Sequence, residues 1–191
     1  MYKALHTTFL AVALLLFCPA LSAQDRLLGV YQSPKGVGIS AVIESGGGQE
    51  MDILTLRSDF YGVLSGRTPE VGACVSYTHD YVLYRHEGED HVFRLHIGAG
   101  GLFGFTHDFE KGFFSAYERQ LVRKPGWTVA LAGNFGFRID FRRRLSLDFG
   151  FSILPGVHLR TDDKTGALLV SFYRAGVYNS YFPQVNLMYR F

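Results

Sequence analysis

Three consecutive pieces of sequence decide the fold: WTVALAGNFGFRIDF at 127–141, Arg142-Arg143-Arg144, and LSLDFGFSILPGVHL at 145–159. In the first, Trp127, Val129, Leu131, Gly133, Phe135, Phe137, Ile139 and Phe141 share one parity, while Thr128, Ala130, Ala132, Asn134, Gly136, Arg138 and Asp140 share the other. The third repeats the pattern, with Leu145, Leu147, Phe149, Phe151, Ile153, Pro155, Val157 and Leu159 opposed to Ser146, Asp148, Gly150, Ser152, Leu154, Gly156, His158 and Arg160. Successive side chains of a strand point to opposite faces, so this period of two predicts two long strands, and the arginines between them a tight hairpin.

The rule extends outward from that hairpin. At 93–105, Phe93, Leu95, Ile97, Ala99, Gly101, Phe103 and Phe105 alternate with Arg94, His96, Gly98, Gly100, Leu102 and Gly104. At 71–85, Val71, Ala73, Val75, Tyr77, Tyr81 and Leu83 form an apolar face on which His79 is the polar exception, and Glu87-Gly88-Glu89-Asp90 make the turn between these two strands. Short strands are expected at 26–32 and 37–43, another follows the glycine turn 45–49 across 51–63, and Val185, Leu187, Tyr189 and Phe191 alternate with Asn186, Met188 and Arg190 at the end. No segment after Gln24 carries a sustained helical stripe. The reading is all-β: an eight-stranded antiparallel up-and-down transmembrane β-barrel, even-numbered as bacterial single-chain barrels are. Short connections near Ser45, Glu87 and Arg142 fall at one end, and longer ones at 61–70, 106–126 and 161–180 at the other. That asymmetry assigns the first end to the periplasm and the second to the outside.

Alternation alone does not separate a membrane barrel, apolar outward, from a soluble one, apolar inward. The polar face does. A sheet facing water carries Lys and Glu, yet after residue 23 the lysines are Lys35, Lys111, Lys124 and Lys164, all in loops or at their edges. The polar parity holds small residues instead, together with Arg94, Arg138, Asp140, Asp148 and Arg190. An eight-stranded barrel has an interior just wide enough for side chains to fill. Those five charges are therefore expected to form a lumen network, paired between neighbouring strands because a buried charge needs a partner. His96 and His158 join them as hydrogen-bonded lumen residues.

Residues 1–23 read as a secretory signal peptide, with Lys3 at the start, an apolar run at 9–18 and Ala20-Leu21-Ser22-Ala23 as the cleavage region. The run is far short of the roughly twenty residues that a spanning helix needs. Residues 24–191 make one domain. Without the signal, 18 basic and 17 acidic residues remain, a balance that excludes nucleic acid as a bulk electrostatic partner. Of the two cysteines only Cys74 lies after the signal, so no internal disulfide is available, and it reads as a small buried residue.

The closing strand, with Val185, Leu187, Tyr189 and Phe191 at every second position, resembles the assembly signal of outer-membrane barrel proteins. The chain as a whole resembles the small eight-stranded barrels of the outer-membrane protein A and X type. That resemblance is of pattern and carries no long motif. It implies the cell outer membrane of a Gram-negative envelope as location, with outer-membrane lipids, lipopolysaccharide and the barrel-assembly machinery as partners.

Candidate binding residues lie in the 106–126 loop, where Phe109, Phe113, Phe114 and Tyr117 accompany Lys111, Arg119 and Arg123. Aromatic and cationic groups together suit an anionic surface ligand; aromatics that merely pack the loop onto the rim are the plainer reading. Asp162 and Asp163 read as a solvated turn rather than a calcium site. Neither His91 and His96 nor His79 and His86 stand at the even separation that would put two metal ligands on one strand face, so neither metal nor cofactor is expected. A lipid A deacylase would show a His-x-Ser pair, and here His158-Leu159-Arg160 puts Arg in place of Ser. His107, Asp108 and Ser115 supply the residue types of a palmitoyltransferase without its motif. The expectation is a non-enzymatic barrel with a recognition, adhesion or structural envelope role. A lipid A-modifying enzyme and a soluble periplasmic binding barrel are the alternatives.

Overall fold

A computed structural model describes residues 25–33, 36–58, 71–109, 123–141, 144–162 and 165–191. The strands are β1 (Asp25–Ser33), β2 (Gly36–Ser45), β3 (Glu50–Ser58), β4 (Ala73–Glu87), β5 (His91–Phe109), β6 (Arg123–Phe141), β7 (Leu145–Ile153), β8 (Gly156–Thr161), β9 (Leu168–Phe172) and β10 (Gln184–Arg190). A short helix α1 (Arg174–Tyr178) and a 3-10 turn (Asn179–Tyr181) separate β9 from β10. Every neighbouring pair is antiparallel, and the β1–β10, β10–β7 and β5–β6 pairings close the sheet on itself. β7 with β8, and β9 with β10, are two interrupted strands, so the ten segments form a closed eight-stranded barrel.

The deciding hairpin is in register throughout, with Phe141 opposite Leu145, Arg138 opposite Asp148 and Gly133 opposite Ile153. The long run 145–159 is nevertheless not one strand. It breaks at Leu154 and Pro155, where Pro155 has no amide to give the ladder. Around the break Leu131 N–H donates to the Pro155 carbonyl, Leu154 N–H to the Gly176 carbonyl of α1, and Tyr173 N–H to the Gly156 carbonyl. The loop expected at 161–180 contains β9 and α1, and that expected at 106–126 is shortened at both ends by β5 and β6. The expected strand 51–63 is described as far as Ser58. Position 83 is the extra residue of a bulge between Val82 and Tyr84, which carries the β4–β5 hairpin past the start of β3. Gly46, Gly47 and Gly48, all at positive φ (57°, 69° and 84°), turn β2 into β3, a run of left-handed backbone that side chains disfavour.

Burial follows parity, and it is inverted relative to a soluble protein. Leu131 is 71% exposed and Val30 62%, and with them Ile97, Phe103, Phe135, Phe151 and Leu187 stand on the outer face. Inside, Arg138, His96, His158, Asp80 and Thr128 are almost completely buried. Tyr81, Tyr84, Trp127, Tyr181 and Tyr189 are exposed on the outer surface; Tyr61 lies outside the described residues. Among the described residues, apolar lumen packing forms two clusters, Leu27, Val42, Met51, Ile53 and Met188 at one, and Cys74, Leu102, Ala130, Ala132, Leu154, Tyr173 and Ala175 at the other.

Candidate functional site

The expected lumen charges are carried by inward positions of β5, β6, β7 and β10. On β6 and β7, Arg138 and Asp148 are register partners, and both Nε and Nη2 of the arginine donate to Asp148 Oδ2, at 3.2 and 3.1 Å. Arg94 on β5 reaches Asp140 on β6 at 3.3 Å, and Arg190 on β10 approaches the same carboxylate at 3.8 Å. Asp140 also accepts from the Ser146 hydroxyl. All five expected residues thus face inward. Their pairing is not confined to neighbouring strands, because the hub is a residue outside that set, Glu44 at the end of β2. Its Oε1 accepts from Arg94 at 2.7 Å, Arg138 at 3.1 Å and Arg190 at 3.0 Å, and its Oε2 from Arg190 at 3.0 Å. Glu44 is legible by parity. With Ile39, Ala41 and Ile43 outward, Ser40, Val42 and Glu44 must point in.

The network continues toward the other end through His96, whose Nδ1 lies 2.7 Å from Asp80 Oδ2. Its Nε2 is 3.3 Å from Asp148 Oδ2, an ion-pair contact rather than an aligned hydrogen bond. Asn134 donates to Asp80 at 2.7 Å, Gln184 to Asn134 at 3.1 Å, and Tyr31 to Gln184 at 3.2 Å. Two glycines make room for these groups. A Cβ at Gly98 would fall onto Asp80 Oδ1, and one at Gly136 would lie 2.8 Å from His96 Nε2 and 2.7 Å from the Phe149 carbonyl. The small residues of the polar parity are therefore the space in which the charges fit.

Nearer the loop end, His158 Nε2 lies 3.3 Å from the Thr106 carbonyl, and its ring stacks on Tyr173 with centroids 6.4 Å apart. Asp108 accepts the Arg174 and Ala175 amides at 2.8 and 2.9 Å, holding the first turn of α1 in the barrel mouth. His107 is buried as well, so neither His107 nor His158 stands free at the rim. Cys74 is a free, buried thiol. Among the described residues no group of three or more metal-ligating side chains occurs.

His79 keeps its outward position, and the bulge does not re-aim it. Its Nδ1 is 2.8 Å from Asp52 Oδ1, which also accepts from the Tyr77 hydroxyl at 2.7 Å. The Tyr81 ring meets the imidazole edge-on at 4.8 Å. A polar pair on an apolar wall thus satisfies itself laterally. Of the loop candidates, Phe109 ends β5 and Arg123 begins β6 as register partners, whereas Lys111, Phe113, Phe114, Tyr117 and Arg119 lie outside the described residues. Residues 1–23 do too.

Geometry therefore defines a closed barrel with an apolar exterior and a charged, internally paired lumen. No protein-family model matches the chain, and no curated protein matches its sequence. Among solved structures it is similar to a major outer membrane protein from Thermus thermophilus, at 15% identity, with 90% of this chain and 100% of that one covered and a TM-score of 0.48. A likeness that distant transfers no function.

Proposed function

We propose that this chain is a non-enzymatic outer-membrane β-barrel that crosses the bilayer with its eight strands and offers its longer loops for surface recognition or adhesion, or serves as a structural element of the envelope. The observation that carries the reading is the inverted partition: large apolar side chains outside and buried ion pairs inside. In water an apolar surface this continuous is an aggregation hazard, whereas against lipid tails it is the solvated side. A closed barrel also leaves no unpaired sheet edge, as hydrocarbon requires. The filled lumen disfavours a diffusion pore, which leaves the loops and the outer wall to do the work. Lipids and lipopolysaccharide are the partners such a wall meets, and the residues from Val185 to Phe191 are the segment that the barrel-assembly machinery would read.

Membrane fractionation followed by electrophoresis with and without boiling tests the location. The chain should remain with the outer membrane and change mobility on heating. A soluble, unshifted band refutes the reading. Incubation with lipopolysaccharide should leave acyl composition unchanged; acyl loss or transfer that disappears in His158→Ala or His107→Ala establishes the enzymatic alternative instead.

A further inference from the structure

The network around Glu44 does not extend to Arg57. Arg57 on β3 is 7% exposed, and its Nε donates to Cys74 Sγ at 3.3 Å. Its guanidinium also meets the Tyr31 hydroxyl, with Tyr173 beside it. No carboxylate among the described residues forms an ion pair with it, whereas Arg94, Arg138 and Arg190 share Glu44 and two aspartates. The groups it meets include no carboxylate, and a charge taken out of water needs a counter-charge.

Arg57 lines a cavity of about 30 Å³ in the middle of the lumen, walled also by Thr55, Ser76, Thr78 and Asn134. That volume has room for a water molecule or a small ion. The carboxylate lining it, Asp148, is already held by Arg138 at 3.1 Å and His96 at 3.3 Å. What remains is a cation and several hydroxyl donors around a small space.

We propose that this mid-lumen cavity binds a single small monovalent anion of halide size, with Arg57 as counter-charge and the hydroxyls of Thr55, Ser76 and Thr78 as neutral donors. The site locks the β3–β4 side of the barrel from within, and it does not depend on which membrane, if any, surrounds the wall.

The test uses the full mature barrel folded in uncharged detergent at constant ionic strength, with gluconate, too large for the cavity, replaced stepwise by chloride or bromide. A ligand that binds only the folded state raises the unfolding midpoint with concentration. Wild type should show a saturable, halide-specific rise, and Arg57→Gln should lose it. An equal rise in both proteins, or none in wild type, overturns the proposal. Should Arg57→Gln not fold, diffraction from wild-type crystals grown in bromide decides. An anomalous peak in the cavity supports the site, and a cavity holding water alone overturns it. If halide dependence is absent in wild type and emerges only in Cys74→Ala, the thiolate is the native counter-ion and the proposal fails.

Discussion

Glu44→Gln is the sharpest perturbation of the lumen, because it preserves shape while removing the charge on which three arginines converge. The side chain of Glu44 is 2% exposed and accepts four charge-assisted hydrogen bonds. Such bonds contribute about 1.5–3 kcal/mol each, but simple addition overstates the loss. Arg138 keeps Asp148, Arg94 keeps Asp140 at 3.3 Å, and Arg190 keeps it at 3.8 Å. What is lost is one counter-charge from a buried set, and removing one partner of a buried pair costs about 3–5 kcal/mol. We therefore predict a drop of about 4 kcal/mol, a large share of the roughly 5–15 kcal/mol that holds an ordinary domain together. Urea unfolding in micelles, followed by the heat-sensitive mobility shift, measures it without adding salt. Adding Arg190→Gln removes the most accessible cation, whose side chain is 13% exposed, and should recover part of the loss, with a coupling of about 1–3 kcal/mol. A single-mutant cost under about 1 kcal/mol, the value of an exposed pair, would show that water reaches Glu44 and would refute a closed ionic lumen.

Other perturbations separate inside from outside. Leu131→Arg, at an exposed position midway along β6, should cost about 2–4 kcal/mol in lipid vesicles if that face meets the bilayer, whereas a barrel in water would tolerate it; vesicle folding titrations distinguish the two. Gly98→Val should prevent folding into the heat-modifiable form, since its Cβ would strike Asp80 Oδ1 and lie 2.7 Å from the His79 carbonyl; a normally shifting band would show that the strands can part. Asp108→Asn should loosen α1 by about 1–2 kcal/mol, seen as faster amide exchange at Arg174 and Ala175, the amides it accepts, with β5 and β6 unchanged. Deleting Phe191 should lower the fraction of heat-modifiable protein in cells, and undiminished assembly would reduce that residue to an ordinary packing group.

Most of the architecture is legible because one rule, alternation, is enforced at every inward position of a closed sheet. Parity places Arg94, His96, Arg138, Asp140, Asp148, His158 and Arg190 on the polar side. Their partners are harder to see. Glu44 sits beside a glycine turn and reads as part of it, although Val42 two residues earlier already fixes its face. Asp80 is overshadowed by His79, the outward exception next to it. The distances between such partners are set by the diameter of the barrel, which brings β2 against β5, β6 and β10 across the lumen, and no local pattern encodes that meeting. The same holds for Asp52 and His79, which look like an isolated defect until the β3–β4 register puts them opposite each other.

The eighth strand shows where alternation ceases to be informative. Leu168, Val170 and Phe172 continue the apolar outer parity and pair with β8, extending the hairpin beyond the expected loop boundary. From Tyr173 onward the chain turns in, burying Tyr173, Ala175 and Gly176 against Leu154. The cause lies on the partner strand. Pro155 offers no amide, so a continuous neighbour there would leave an acceptor unmatched, and the Leu154 amide takes the Gly176 carbonyl instead. An obligatory backbone requirement is thus met by a five-residue helix that no hydrophobic period announces, and Asp108, reaching from β5, fixes its first turn. Closure of the wall and filling of the lumen mouth are the same event. The break in β7–β8 calls the helix in, and Tyr173 just before it and Ala175 within it supply the apolar cap above the ion pairs.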